Sequence, residues 1–206
     1  AGLSYLLVPM RQPAVTVRPI RQLTGTSEFN EVFFDGARTE RGMVVGEVGD
    51  GWRVALATLA VERGAATLGQ QVGFRRELDR LVELARRTGA AADPVLRDRL
   101  ARAWIGLEVI RAHALAALAG PAAAGAGADA SVVKLLWSRW HQELGELAMD
   151  VLGAPSMVAR GAPYDLDDWQ RLFLFSRADT IYGGSGEIQR GIIAERALGL
   201  PRQARS

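Results

Sequence analysis

The stretch that decides the fold begins at Asp50-Gly51-Trp52 and runs without a break through Leu59-Ala60-Val61-Glu62-Arg63-Gly64. It continues to Phe74-Arg75-Arg76-Glu77-Leu78-Asp79-Arg80-Leu81, and Thr88-Gly89 closes it. Phe74, Leu78, Leu81 and Ala85 recur at steps of three and four, which puts them on one face of an α-helix. At ~1.5 Å per residue such a helix exceeds ~50 Å. Ala65, Gly69 and Gly73 form a second stripe of small side chains at spacing four. That stripe predicts a close approach by another helix, although each glycine costs ~1 kcal/mol relative to alanine.

The same periodicity continues downstream. Asp93-Pro94 supplies a cap followed by proline in the first helical turn, and Leu96, Leu100, Ala103, Leu107, Ile110 and Ala114 share a face. The alanine- and glycine-rich residues 120–128 are expected to form a loop. A third helix is expected to begin at Asp129 or Ser131, with Leu136, Trp140, Leu144, Leu147 and Val151 in line, and to stop at Gly153-Ala154-Pro155. A fourth begins at Asp165 and reaches about residue 181, carrying Trp169, Leu172 and Phe173. The glycines at 183 and 184 separate it from a short fifth helix. Upstream the period is two. Leu3–Val8, Val15–Ile20, Phe29–Phe34 and Met43–Val45 predict strands, the first of them buried. This is too little sheet to stand comfortably alone. The expected fold is mainly α: an antiparallel four-helix bundle over 50–206, preceded by a small β-sheet remnant over 1–49. Uncovered apolar surface should then favour a homo-oligomer, a dimer or tetramer built through the bundle.

Composition narrows the function classes. The 206 residues are 49% hydrophobic and 23% charged, which is a globular balance rather than a disordered one. There is no cysteine, so disulfides, zinc-thiolate sites and thiol nucleophiles are excluded. Of the 25 basic residues only Lys134 is lysine, leaving 24 arginines, and the net charge is just +2. Acids and bases are interspersed, which argues against a nucleic-acid surface. No apolar run has the length of a membrane span, and there is no basic-then-apolar leader. These features predict a cytoplasmic protein. His113 and His141 fall on separate helices without ligand spacing, so they are expected to be structural, with no metal site.

The string Asp179-Thr180-Ile181-Tyr182-Gly183-Gly184-Ser185-Gly186-Glu187-Ile188-Gln189-Arg190-Gly191-Ile192-Ile193-Ala194-Glu195-Arg196, followed by Leu198-Gly199-Leu200-Pro201-Arg202, resembles the C-terminal signature of the acyl-CoA dehydrogenases. Glu28 to Asp35, with Val45-Gly46-Glu47 and Gly51-Trp52, resembles the end of that family's middle β-domain. Leu59 to Gly64 resembles the start of its first bundle helix. The resemblance implies the C-terminal part of an FAD-dependent enzyme that converts an acyl-CoA thioester to the trans-2-enoyl-CoA. In that reaction the α-proton is abstracted and the β-hydride passes to flavin, and an electron-transfer flavoprotein then takes the electrons. Two further readings stay open: a non-catalytic bundle serving oligomerisation, and a flavin oxidase or monooxygenase on the same scaffold.

The resemblance also carries residues. The family's commoner base position is occupied here by Gly183, which has no side chain to take a proton. The alternative base position, on the first bundle helix, matches Glu62; the competing reading is a solvated glutamate paired with an arginine one turn away. Arg63 matches a position that reaches toward CoA, where a guanidinium fork suits phosphate and amide oxygens. Tyr182 and Gly183 match positions beside the thioester. Ser185, Gly186 and Glu187 match cofactor-contacting residues at a helix start, where free amides suit an anionic group. Glu187 in a first turn is equally a helix-stabilising charge. Gly153 matches one glycine of a segment that touches the flavin dinucleotide of a neighbouring subunit. In the rest of that segment Asp150 stands for a glutamine and Ala154 for a second glycine.

Overall fold

The computed structural model of the protein describes residues 2–119, 126–161 and 164–201; the side chains of 60–68, 117–119 and 126–129 lie outside that description. By contacts the chain divides into two compact units, Ala1–Arg63 and Gly64–Ser206.

The first unit holds four short strands: β1 (Tyr5–Leu6), β2 (Val15–Ile20), β3 (Phe29–Phe34) and β4 (Val44–Val45). They pair antiparallel as two separate two-stranded sheets, β1 with β4 and β2 with β3. Val15 lies opposite Phe34 and Ile20 opposite Phe29. The expected buried strand over Leu3–Val8 is only two residues long, and Leu3, Leu6 and Leu7 are exposed. The reason is the partner: β4 offers two residues to pair with, and among the described residues no second layer covers the apolar side chains. Val17, Ile20, Phe29, Val32, Phe33 and Phe34 are likewise exposed. The backbone amide of Gly51 donates to the Leu3 carbonyl (2.8 Å). A Cβ at Gly51 would stand 2.5 Å from the Ser4 carbonyl carbon, so only glycine permits this approach.

Helix α1 (Gly51–Thr88) begins in the first unit and ends in the second. The second unit adds α2 (Pro94–Ala119), α3 (Ala126–Leu152), α4 (Asp168–Ser176) and α5 (Gly186–Ile192). The fold is mainly α, as the 3.6-residue period predicts. Gly89 at φ 80° ends α1, and the Asp93 carboxylate caps α2 by accepting from Val95 and Leu96. The core collects Phe74, Leu78, Leu81 and Ala85 from α1, with Leu100, Leu107 and Ile110 from α2. From α3 come Val133, Trp137, Trp140, Leu144, Leu147 and Val151, and from α4 Trp169. Trp137 and Trp140 are both core residues, packed on Phe74.

Three boundaries differ from expectation. Helix α3 starts at Ala126, inside the segment expected to be a loop; residues 120–125 of that segment lie outside the described residues. Alanine's high helix propensity outweighs the glycine at 127. Helix α4 starts at Asp168 rather than Asp165, because Asp167 and Gln170 make a reciprocal capping box. It ends at Ser176, and a 3-10 turn (Arg177–Thr180) follows.

The small-residue stripe also behaves differently. A Cβ at Gly69 or Gly73 would meet nothing within 4 Å, and Ala65 lies outside the described side chains. The close approaches occur instead at Gly106 on α2 and Gly145 on α3. A Cβ at Gly106 would stand 2.8 Å from Trp140 Cδ1, and one at Gly145 3.0 Å from the Phe173 Cα. Trp140 fills the notch over Gly106 and donates its indole N–H to the Ala103 carbonyl (2.7 Å). Substituting Gly106 by valine should therefore lower the urea midpoint, by an overpacking cost of about 1–3 kcal/mol. Gly69→Ala, on the open face, should be neutral or stabilising in the same titration.

Candidate functional site

The residues singled out near the C terminus come together at the turn between the 3-10 segment and α5. Gly183 and Gly184 have φ of 66° and 97°, values that L side chains resist. The Gln189 side-chain amide donates to the carbonyls of Gly183 (3.0 Å) and Gly184 (3.3 Å), so the turn is pinned from within α5. A Cβ at Gly184 would stand 2.4 Å from that amide nitrogen. Ser185 caps α5 by accepting from the Ile188 amide. Glu187 is held below the usual carboxylate range, first by its own backbone amide and then by the Ser185 hydroxyl.

Behind the turn lies a set of ionisable side chains. Asp179 is 1% exposed. One carboxylate oxygen accepts from the Tyr182 hydroxyl (2.6 Å) and the other from His141 Nδ1 (2.5 Å). His141 Nε2 faces Glu77 at 3.1 Å. The Lys134 ammonium donates to the Asp179 backbone carbonyl. It also lies 4.0 Å from the Trp137 ring centre and 4.8 Å from that of Tyr182. A Cβ at Gly183 would be 3.8 Å from the same nitrogen.

Both imidazole nitrogens of His141 face carboxylates, and only the imidazolium has two N–H donors to offer. Burial is the largest single influence and works downward. The hydrogen bonds and charges of Asp179 and Glu77 together outweigh it and hold the pKa at about 9. Burial pulls Lys134 down to about 8 against the opposing charge of Asp179. Burial and the hydrogen bond to Asp179 push Tyr182 up. His141 was expected to be structural; the structure makes it the charged centre of a buried network. Among the described residues no group of three metal-ligating side chains forms.

A groove of about 1010 Å³ opens on the second unit. Ser185, Gly186 and Glu187 line it, and Arg99, Arg102, Arg139 and Arg190 put four guanidiniums on its walls. The structure therefore gathers three of the four cofactor-position residues on one groove. Gly153 is not among the groove's lining residues; it sits exposed just past the end of α3 with φ 64°. Asp150, one turn earlier, is occupied by an ion pair with Arg99 (2.5 Å). Glu62 and Arg63 fall within α1, but their side chains lie outside the described residues. Sequence reading missed Glu77, Lys134 and Asp179 because they converge across 45 to 102 positions of chain without a local motif. The one available signal was that Lys134 is the only lysine.

Residues 49–198 match the family model described as acyl-CoA dehydrogenase, C-terminal domain. The chain belongs to the acyl-CoA dehydrogenase family. It is 64% identical to acyl-CoA dehydrogenase IpdE1 of Mycobacterium tuberculosis, over all of this chain and 52% of that protein. It is 40% identical to acyl-CoA dehydrogenase FadE34 of the same organism, over 98% of this chain and 27% of that protein. The chain thus spans about half, or less, of the curated relatives it matches. Among solved structures, the Tcur3481-Tcur3483 steroid acyl-CoA dehydrogenase superposes with a TM-score of 0.83 at 25% identity, covering 97% of this chain and 52% of that one. No helix among the described residues is long and apolar enough to cross a membrane.

The groove tests the fit of the family's cofactor. Its arginines and the backbone at Gly186 offer donors of the kind a pyrophosphate needs. Arg99, Arg102 and Arg139 are already paired, with Asp150, Asp98 and Glu143. Arg190 is within reach of the Glu187 charge, which it favours. Glu143, Glu146 and Glu187 line the same groove, so the donors left that could hold the phosphates of FAD are Arg190 and the backbone at Gly186.

His141 gives a pH dependence with a definite sign. Its folded pKa of about 9 stands above the ordinary 6.5, so its stabilisation is complete below pH 6.5 and is lost as pH rises toward 9. Lys134 acts oppositely, but only between its folded value of about 8 and the ordinary 10.5. Melting temperature should therefore fall between pH 6.5 and 8, by the equivalent of about 2 kcal/mol. His141→Gln should flatten that limb in the same series of melts.

Proposed function

We propose that this chain is the C-terminal part of an FAD-dependent acyl-CoA dehydrogenase that oxidises an acyl-CoA thioester to the trans-2-enoyl-CoA, with Glu62 as the base. The observation that carries the reading is the Tyr182–Ser185 turn. It combines a glycine where the family's commoner base stands with a groove whose donors suit a dinucleotide phosphate. The α-C–H of a thioester is weakly acidic, so its removal needs a positioned carboxylate. Gly183 cannot supply one, and the family resemblance puts the alternative base position at Glu62. Arg63 would bind the phosphate or amide oxygens of CoA, and Tyr182 would pack beside the thioester with its hydroxyl donated to Asp179. Ser185, Gly186, Glu187 and Arg190 would hold FAD, with Gly153 touching a neighbouring subunit's dinucleotide. When bound, FAD supplies the hydride acceptor. An electron-transfer flavoprotein is the proposed electron acceptor.

The partner for assembly is a second bundle, and a homo-oligomer is the simplest form. One solved relative is a complex of two named proteins: the ChsE4-ChsE5 complex from Mycobacterium tuberculosis, 27% identical with a TM-score of 0.73 over 98% of this chain and 53% of that one. Assembly with a second, different chain is therefore the alternative reading. Light scattering with intact mass on the purified holoenzyme separates the two: one mass in a multiple of itself, or two masses together.

The chemical step has its own test. In the complete holoenzyme, Glu62→Gln should leave the visible flavin spectrum and flavin content intact while lowering acyl-CoA dehydrogenation by about 10²–10⁴-fold. Glu187→Gln should act on cofactor affinity or stability more than on kcat. Wild-type turnover by the Glu62 variant would place the base elsewhere. Consumption of oxygen at the rate of substrate oxidation would favour the oxidase reading.

A further inference from the structure

Asp179 is the most enclosed carboxylate in the described structure and the point where three elements meet. His141 and Lys134 reach it from α3, 7 residues or two helical turns apart, while Tyr182 reaches back to it from three residues downstream. Glu77 on α1 closes the far side of the imidazolium. Two cations and two anions therefore balance within one cluster. Tyr182 is held by its hydroxyl on Asp179 and by its ring against the ammonium and Trp137.

The next two residues are glycines in left-handed conformations, the backbone with the most freedom to lose. On their far side Gln189 ties both carbonyls to α5. The turn is thus anchored by Asp179 before it and Gln189 after it, and the Asp179 anchor depends on charge. We propose that Asp179, gripped by His141 and Lys134, is the positioning residue that fixes Tyr182 and the Gly183–Gly184 turn for the reacting end of the acyl-CoA. The proposal rests on the acyl-CoA reading given above.

Asp179→Asn keeps the shape and loses the charge, so the imidazolium and the ammonium no longer face an anion at residue 179. His141→Gln removes one arm from the other side and serves if the first variant fails to fold. Amide hydrogen exchange over residues 181–190 of the holoenzyme reads the turn itself, and steady-state kinetics with acyl-CoA read its consequence. Asp179→Asn should speed exchange over 181–190 about tenfold and lower kcat about 10–100-fold at unchanged flavin content, because small misplacements of a reacting group are costly. The wild-type kcat profile should fall at alkaline pH as His141 deprotonates, with Glu77, Asp179 and, through Asp179, Lys134 as the charged groups facing it. His141→Gln should remove that limb, which a merely structural histidine would leave in place.

Unchanged exchange over 181–190 in both variants overturns the proposal whatever the activity. Faster exchange with unaltered kcat and pH profile in an active enzyme also overturns it, since the turn would then move without consequence. Faster exchange in a wild-type background that oxidises no acyl-CoA sinks the functional reading instead, and Asp179 keeps only its role in holding the turn.

Discussion

Helix α3 must be covered on two sides, and the rest of the second unit follows from that demand. One stripe is apolar: Val133, Trp137, Trp140, Leu144, Leu147 and Val151, each worth roughly 1.5–3 kcal/mol when fully buried. The other runs Ser131, Lys134, Ser138, His141 and Gly145, its four polar members buried and all five at helical spacing. Apolar packing satisfies the first stripe through α1 and α2. The second carries charges and hydroxyls, and buried polar groups are stable only when paired. Asp179 and Glu77 answer the two cations. Gly145 lets α4 come close enough to bring the following 3-10 turn over the stripe.

That arrangement connects the core to the candidate site. The 3-10 turn carries Asp179, and three residues later stand Tyr182 and the two left-handed glycines. A residue at 183 sits where the family resemblance places a carboxylate. Here the position has no side chain, a positive φ, and the Lys134 ammonium close behind it.

In the groove, Arg99, Arg102 and Arg139 are tied to neighbouring acids, which fixes their guanidiniums on the wall. Such exposed pairs contribute little stability each. Glu143, Glu146 and Glu187 share the wall, so the charges there are largely balanced, and at the start of α5 Ser185 satisfies part of the helix terminus.

Much of this was legible in the residues alone. Period-2 and period-3.6 patterns located the strands and helices, because burial on one face imposes those repeats. The cap at Asp93-Pro94 and the stop at Thr88-Gly89 were local chemistry, as was the break at Gly183-Gly184, and the C-terminal signature carried the family. Other features belonged to the tertiary structure. Ala65, Gly69 and Gly73 have the spacing of a helix contact, yet no described helix approaches Gly69 or Gly73. Gly106 and Gly145 do the work instead, because a notch matters only where a partner side chain or backbone arrives to fill it. Leu3–Val8 reads as a buried strand, yet burial needs a covering layer that its own sequence does not contain. His141 reads as an isolated histidine, and nothing in the sequence links it to Glu77, Lys134 or Asp179. Their pairing crosses three separated elements, and an electrostatic contact has no periodicity to leave in the sequence. The sequence by itself determined the helices, the family and the glycine turn; only the packing of α1, α3 and the 3-10 turn decided that Asp179 would stand between two cations, since distance in space sets charge pairing and distance along the chain does not.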